Sequence, residues 1–253
     1  MGHALPISLA VAAGILAIGF GGSLITSTKV ASNALQKRAE TAESRERTIF
    51  VKGSTRKRIR SDRAVWNIDV RAEQESLVEG FTQLSAGSLA VGEFLKQHNF
   101  TPTEIGLGAI NTETFYARDP KGNETRKVAG YSLTRTYTVS TTDVDRVHKT
   151  AGEVTELIKQ GQLVISRAPE YYFSELPQLK VELLGLASKD ARSRADQISG
   201  NTGCRVADVR SASMGVLQVT RPDSTEVSDS GRYDTSTIDK DVTAVVTVTF
   251  RIE

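Results

Sequence analysis

The sequence predicts an α+β fold, in which three amphipathic helices pack on largely antiparallel sheets and an N-terminal transmembrane helix precedes them. Three observations support this prediction. Apolar residues recur at helical spacing in three segments, and apolar and polar residues alternate in the segments between them, as strands require. An uncharged run of 22 residues, positions 4–25, precedes both patterns. The chain therefore divides into an anchor or uncleaved signal at residues 1–26, a polar helical stalk or linker at 27–48, and an α+β domain at 49–253.

The uncharged run is long enough to span a membrane, because about 20 apolar residues cross a bilayer as a helix. The apolar region of a signal peptide is shorter, at about 7–15 residues. We therefore expect residues 4–25 to remain in the mature protein, with cleavage near Ala34 as the alternative. The basic residues Lys29, Lys37 and Arg38 follow the run, and these charges alone would place the C-terminal side in the cytoplasm.

Two strands, at 49–57 and 62–73, are predicted to open the domain as a pair. In the second strand Trp66, Ile68 and Val70 alternate with polar residues, so one of its faces is apolar. An amphipathic helix follows and ends near Asn99. Its apolar positions are Leu77, Phe81, Leu84, Val91 and Leu95.

A β-hairpin is predicted next. Its strands, at 104–117 and 124–139, flank a turn at 118–123 whose proline, glycine and asparagine favour a reversal of the chain.

The second helix is predicted at 143–160, with Gly161 ending it. Thr142 and Asp145 have the spacing of a capping box. We prefer this interpretation to a divalent cation bound by Asp143 and Asp145, because acidic residues stabilise the first turn of a helix. The inward positions are Val144, Val147, Val154, Leu157 and Ile158.

After a strand at 163–173, the third and longest helix presents a face that is large and apolar at first and then lined by alanine. Alanine lets a helix approach its neighbour closely. The face consists of Leu176, Leu179, Leu183, Ala187, Ala191, Ala195 and Ile198. Strands at 205–220 and 240–252 close the chain. The connection between them, 221–239, is long for an inert loop and is the chief candidate for a functional one.

Net charge and cysteine content limit the partners and the disulfides that we expect. The net charge of +2 gives no overall attraction to nucleic acid or membranes. The one cysteine, Cys204, forms no disulfide within the chain and is expected to be buried or to pair between chains.

No catalytic, cofactor or metal site is predicted. The histidines His3, His98 and His148 lack metal-ligand spacing. No serine lies in a Gly-x-Ser-x-Gly turn, and no glycine-rich nucleotide motif is present. We therefore expect a protein without enzymatic activity, and a hydrolase with a dispersed site is an alternative.

Basic residues crowd the first two predicted strands, at Lys52, Arg56, Lys57, Arg58, Arg60 and Arg63. A nucleic-acid surface would combine such charges with stacking aromatic residues, and only Trp66 is near, so no nucleic-acid partner is predicted. Basic side chains also block unwanted pairing at a strand edge, and they can bind acidic residues of a neighbouring subunit.

Three groups of residues carry a resemblance to a known family. They are Val51-Lys52-Gly53 followed by Asp62 and Ala64; Gly130-Tyr131, Thr136-Tyr137-Thr138-Val139 and Asp143-Val144-Asp145; and Ala187, Lys189-Asp190-Ala191-Arg192-Ser193-Arg194-Ala195 and Gly203. Together they resemble the SIMPL-domain family over residues 49–253. Thr55 stands where the family has a glycine, so the first turn is expected to differ in detail.

The resemblance implies a bacterial envelope protein without established enzymatic chemistry. Some relatives form ring-shaped oligomers, and some are linked to stress tolerance. We give the family resemblance more weight than the basic residues after the uncharged run, which would place the C-terminal side in the cytoplasm. The resemblance implies a single-pass inner-membrane protein whose C-terminal domain lies in the periplasm or outside the cell. We therefore expect a homo-oligomeric scaffold or ring; its protein partner is unknown.

The expected interface joins opposite charges. The basic side is Arg56, Arg58 and Arg60, and the acidic side is Asp223, Glu226, Asp229 and Asp234 in the 221–239 loop. Complementary patches on one chain suit a head-to-tail contact that can close into a ring. The next candidate is the alanine face, at Ala187, Ala191 and Ala195. An alternative function for the loop is to bind a small ligand or a cation, although the ordered calcium motif is absent.

Overall fold

The structure, a computed structural model, describes residues 47–226 and 228–253. The predicted anchor at 1–26 and all but the end of the predicted stalk at 27–48 lie outside the described residues. Within the described part of the chain, no helix has both the length and the apolar character needed to cross a membrane.

Two mostly antiparallel sheets and three α-helices account for the described residues, so the predicted α+β fold is confirmed for them. These residues form two compact units. The larger unit comprises residues 53–190 and 214–246, and the smaller comprises the described residues up to 52 with 191–213 and 247–253.

The first sheet lies wholly in the larger unit. Its strands are β2 (Arg63–Gln74), β3 (Ile105–Arg118), β4 (Glu124–Thr141), β5 (Leu163–Ser166) and β6 (Glu170–Tyr172). Their order is β3-β4-β2-β5, and β6 also pairs with β2. The helices α1 (Leu77–Gln97) and α2 (Val144–Glu153) contact this sheet, and a 3₁₀ helix (Val154–Gln160) continues α2. Their packing buries Trp66, Ile68, Val70, Leu84, Val91, Leu95, Val139 and Val147.

The second sheet contains β1 (Thr48–Arg60), β7 (Val206–Met214), β8 (Gln218–Thr220), β9 (Arg232–Tyr233) and β10 (Asp239–Ile252). Its order is β1-β10-β8-β9, and β7 also pairs with β10. β8 and β9 are parallel. In the larger unit, α3 (Leu176–Asn201) contributes to a second core with Ile59, Leu179, Leu183, Val219, Val242 and Ala244.

The predicted pairing of the first two strands is wrong, because β1 and β2 belong to different sheets. The chain changes sheets at two consecutive residues. The Ser61 amide donates to the carbonyl of Ile238 at 2.8 Å, whereas the Asp62 amide donates to the carbonyl of Tyr172 at 2.9 Å. Neighbouring amides thus bind segments that lead to different sheets, and a hairpin cannot form at this point.

The buried side of α1 is set by glycine rather than by the first apolar residues. Leu77 and Phe81, predicted to face inward, are about half-exposed. A Cβ atom on Gly80 would lie 2.8 Å from Leu133 Cδ1, and one on Gly87 would lie 2.8 Å from Val70 Cγ1. The helix therefore approaches the sheet most closely along its glycine side.

The second helix also departs from prediction in detail. Its N-cap is Asp143, whose side chain accepts a hydrogen bond from the Arg146 amide at 3.0 Å, so Thr142 is not the cap. Gly161 ends the 3₁₀ segment at φ = 80°, as expected for a left-handed position. Ile158 is exposed rather than inward.

The third helix is confirmed, and its alanine face is fully buried within the chain. At the end of this face Ile198 is 49% exposed, and Ser199 is 2% exposed in its place. Ser199 follows Ala195 by four residues and so continues the same stripe of the helix.

Two predicted strands are each divided in the structure. The segment 163–173 forms β5 and β6, and the segment 205–220 forms β7 and β8. Pro169 lies between β5 and β6 and has no amide hydrogen to donate to a ladder. Gly215 lies between β7 and β8, where its amide still donates to the carbonyl of Val245 at 2.9 Å.

Candidate functional site

The basic side chains of β1 bind acidic side chains of the same chain. Arg58 Nε donates to Asp241 Oδ1 at 2.9 Å, and Arg58 Nη2 donates to Asp223 Oδ1 at 2.9 Å. Arg56 Nη1 lies 3.9 Å from Asp241 Oδ2. Hydrogen bonding from Arg58 holds the pKa of the buried Asp241 carboxyl below its ordinary value. This cluster joins β1, β10 and the start of the 221–239 loop.

Other charges of the expected interface also have partners within the chain. Arg60 Nη2 lies 2.6 Å from Asp145 Oδ1, and Glu226 Oε2 lies 3.1 Å from Arg232 Nη2. Asp229 is exposed. A head-to-tail contact between these two patches would have to replace existing ion pairs. In the single chain, the opposite charges of the two patches already form ion pairs.

A buried lysine, which the sequence patterns did not reveal, ties the loop to β10. Lys240 is fully buried. Its ammonium group donates to the carbonyl of Thr237 and lies 3.6 Å from Asp234 Oδ2. Asp234 also accepts hydrogen bonds from the hydroxyls of Ser236 at 2.7 Å and Thr237 at 2.6 Å. The available signal was a lysine immediately before the alternating apolar segment of the last strand.

Burial and charge shift both members of this pair. Burial lowers the pKa of Lys240, and the nearby Asp234 charge offsets part of that shift. Burial alone would raise the pKa of Asp234, but the hydrogen bonds from Thr237 and Ser236 and the Lys240 charge together lower it to about 2. The Asp234 carboxyl is therefore ionised at neutral pH, and it ties the loop to Lys240 of β10.

Two hollows lie beside β9, and residues of the 221–239 loop line part of each. Gly231 precedes the strand at φ = 86°, a conformation that favours glycine. One hollow, of about 200 Å³, is polar and is lined by Thr220, Arg221, Ser224, Glu226, Arg232, Asp234 and Ser236. The other is an open groove of about 580 Å³ and is mainly apolar. It is lined by Leu176, Pro177, Lys180, Val216, Leu217, Val219, Ser230, Gly231, Arg232 and Tyr233. Arg232 belongs to both.

A second surface, also not evident from the sequence patterns, is the free edge of β3, with which no other described strand pairs. This strand is terminal in the order of the first sheet. Most of its fourteen residues are exposed, and they include Leu107, Phe115 and Tyr116. Between two irregularities in pairing, residues 110–115 stay in continuous register with β4. The signal available in the sequence was a long strand without lysine or proline.

The alanine face does not offer a surface to a second subunit. Ala187, Ala191 and Ala195 each have no exposed area in the single chain. A contact between subunits at these residues would require α3 to leave its own packing, so we do not retain this face as an interface candidate.

The two described histidines contact different partners. His98 Nδ1 is 3.6 Å from Glu153 Oε2, and His148 Nδ1 is 3.0 Å from the hydroxyl of Tyr171. In the described part of the chain, no group of three or more His, Cys, Asp or Glu side chains could hold a metal ion. Cys204 is free and partly exposed.

Over the residues that the structure describes, fold and surfaces define an α+β protein with two mostly antiparallel sheets, an ion-paired loop and a long free strand edge. A family model described as "SIMPL: Protein of unknown function (DUF541)" matches residues 49–250. The chain therefore belongs to the SIMPL family, as the sequence motifs predicted.

Similarity beyond the family is weak. No curated protein matches the chain. Among solved structures, the regulatory subunit of aspartate kinase from Thermus thermophilus, in its ligand-free form, aligns with 79% of this chain and 88% of its own, at 12% identity and a TM-score of 0.20. A likeness of this size says nothing about function.

Proposed function

We propose that this SIMPL protein is a non-enzymatic, single-pass inner-membrane protein that self-associates through the free edge of β3. Its α+β domain faces the periplasm or the outside of the cell. Membrane anchoring rests on the uncharged run at residues 4–25, and the cell compartment rests on the family resemblance. The observation that supports self-association is the length and exposure of β3.

The chemistry of an edge strand supports this interface. A terminal strand presents amide and carbonyl groups that another chain can pair with, and natural proteins usually block such edges with lysine, proline or short strands. β3 has neither lysine nor proline, and Glu113 is its only charged residue before Arg118 at the end. The regular segment 110–115 could therefore accept a strand from a second copy.

Apolar side chains lie beside that edge and can supply affinity. Leu107, Phe115 and Tyr116 on β3 and Val128 on β4 all retain exposed area. Association of hydrogen-bonding groups alone gains little, because water already satisfies them, whereas apolar burial contributes about 25 cal/mol per Å².

The mass of the full-length chain in a mild detergent tests self-association. We expect an oligomer at micromolar concentration at both low and high salt, because the proposed contact is not an ion pair. The double variant Thr112→Lys/Thr114→Lys places two charges on the free edge and should be monomeric with unchanged thermal stability. Thr82→Lys/Thr155→Lys adds the same charge at exposed positions elsewhere and should keep the oligomer.

The possible results separate cleanly. A wild-type monomer at both salt concentrations removes self-association. An oligomer that survives the two β3 lysines excludes this edge as its interface.

Topology has its own test. In a Cys204→Ser background, the change Ser44→Cys places a single thiol in the predicted stalk. We expect labelling only from the exported side, and labelling only from the cytoplasm would reverse the proposed orientation. A mature N-terminus near Ala34 would replace the anchor with a cleaved signal.

A contribution to envelope or oxidative stress tolerance rests on the family resemblance alone. Survival of a deletion strain under peroxide and under detergent stress, with and without the wild-type chain, tests it. Equal survival in all cases would remove this part of the proposal.

A further inference from the structure

The groove beside β9 combines an apolar lining with two basic side chains. Its apolar part is formed by Leu176, Pro177, Val216, Leu217, Val219 and Tyr233. Val216 and Tyr233 retain more than a third of their surface, so apolar area remains available for a ligand. The volume of about 580 Å³ lies within the range of about 300–1,000 Å³ that holds small molecules.

The charges that line the groove have one sign. Lys180 on α3 and Arg232 on β9 are its ionisable side chains, apart from the Tyr233 phenol, and none of the described residues that line it is acidic. Arg232 binds Glu226 through Nη2 at 3.1 Å, which leaves its other donors for a further acceptor. Lys180 is exposed at the groove.

The walls of the groove are held by contacts that do not depend on a ligand. The Tyr233 ring stacks near the Tyr172 ring, with centroids 6.4 Å apart. β8 and β9 pair in parallel, with Val219 opposite Tyr233. Leu176 and Leu217 pack against the second core, and Val219 is a member of it. A ligand would therefore meet a largely formed site.

From these observations we infer that the groove binds a single-chain amphipathic anion, namely a long-chain carboxylate. The hydrocarbon chain lies against Leu176, Val216 and Tyr233, and the carboxylate binds Lys180 and Arg232. An apolar ligand without charge would leave both cations unused. A peptide added as a strand would find only two residues of β9 to pair with.

The test uses the full-length chain in neutral phospholipid nanodiscs and a palmitate analogue with a photoactivatable group in its chain. After irradiation, peptide mass spectrometry locates the label. We expect label on peptides that contain residues 176–180 or 216–219, and competition by excess oleate.

Charge variants decide whether the anion is recognised. Lys180→Glu should lower labelling of these peptides about tenfold, since it replaces a charge-assisted contact with repulsion. Lys189→Glu, also exposed on α3, makes the same charge change outside the groove and should leave labelling within about twofold of wild type. The methyl ester of the probe should label about tenfold less than the acid. Circular dichroism and thermal unfolding check that each variant is folded.

Three results would overturn the inference. They are equal labelling by acid and ester, unchanged labelling in Lys180→Glu, and label confined to peptides outside the groove. None of these results bears on self-association through β3, whose residues lie elsewhere in the sequence.

Discussion

Phe115 of β3 lies opposite Gly130 of β4, and its ring occupies the space where a side chain at position 130 would begin. A Cβ atom on Gly130 would lie 2.5 Å from Phe115 Cζ and 2.8 Å from the carbonyl oxygen of Gln74. The Gly130-Tyr131 motif thus has a local physical reason, because only glycine lets the aromatic ring cover the strand at this position.

Gly130→Ala should destabilise the protein by about 1–3 kcal/mol, the usual cost of overpacking. Phe115→Leu in the same chain should recover part of the loss, because it removes the ring contact but not the contact with the Gln74 carbonyl. Thermal and denaturant unfolding of both variants checks this. Equal stability of Gly130→Ala and wild type would contradict the contact.

Gly185→Ala is the matched change in open space. A Cβ atom there meets nothing within 4 Å, and the position is inside α3. Because glycine in a helix interior is less stable than alanine, we expect a gain of about 0.5–1 kcal/mol. A loss of stability at Gly185 would show that alanine substitution is harmful irrespective of the contacts.

Ala191→Leu should destabilise the protein by about 1–3 kcal/mol, because the residue has no exposed area. The control is Lys189→Leu, which is exposed on the same helix and should be nearly neutral. Arg192 is unsuitable as a control. Its guanidinium donates to the carbonyls of Val206 at 2.9 Å and Ala207 at 3.0 Å. Equal unfolding temperatures for the Ala191 and Lys189 variants would contradict the buried alanine face.

Asp241→Asn should cost more stability than Asp223→Asn, although both carboxylates bind Arg58. The side chain of Asp241 is 4% exposed and that of Asp223 is 84% exposed. Asparagine at 241 removes the charge and one of two buried acceptor oxygens, which should cost about 1–3 kcal/mol, whereas an exposed ion pair contributes about 0–1 kcal/mol. Denaturant midpoints compare the two variants, and a larger effect at Asp223 would reverse the assignment.

Asp234 should make stability depend on acid pH. Its pKa of about 2 in the folded chain lies below the value of about 3.9 expected when unfolded. A carboxyl with a lowered pKa stabilises the fold fully above its unfolded value, and this contribution is lost as pH falls through its folded value. Asp234→Asn should therefore be less stable than wild type at neutral pH, with the difference shrinking as pH falls from about 4 towards about 2.

The control for this pH profile is Asp229→Asn on the same loop, at an exposed position. Its unfolding temperature should follow that of wild type across the whole range. A constant difference between Asp234→Asn and wild type down to about pH 2 would contradict the role of the ionised Asp234 carboxyl.

Local patterns predicted most of the secondary structure. The 118–123 turn, the glycine stop at Gly161 and the long third helix are all confirmed, because each depends on residues close together in sequence. The pairing of β1 with β10 could not be found in this way. This pairing joins opposite ends of the domain. The alternation of apolar and polar side chains shows which face of a strand is buried, but it does not show which strand pairs with it.

The charged surfaces show the same limit. Composition identified a basic strand and an acidic loop, but it did not show that Arg58 and Asp223 are partners in one chain. It also missed Lys240, because a buried lysine has no distinguishing pattern until its partner Asp234 is placed beside it. The free edge of β3 follows from the order of strands, which only the three-dimensional structure provides.

The position of β10 also bears on how the chain is made. Residues 63–172 supply every described strand of the first sheet, so that sheet can assemble as soon as this stretch has left the ribosome. β1 is synthesised earlier but must wait for its neighbour β10, the last strand of the chain. Contacts between such distant segments form slowly because a long loop must close first. A premature stop before residue 239 would leave β1, β7 and β8 without their shared neighbour while sparing all five described strands of the first sheet.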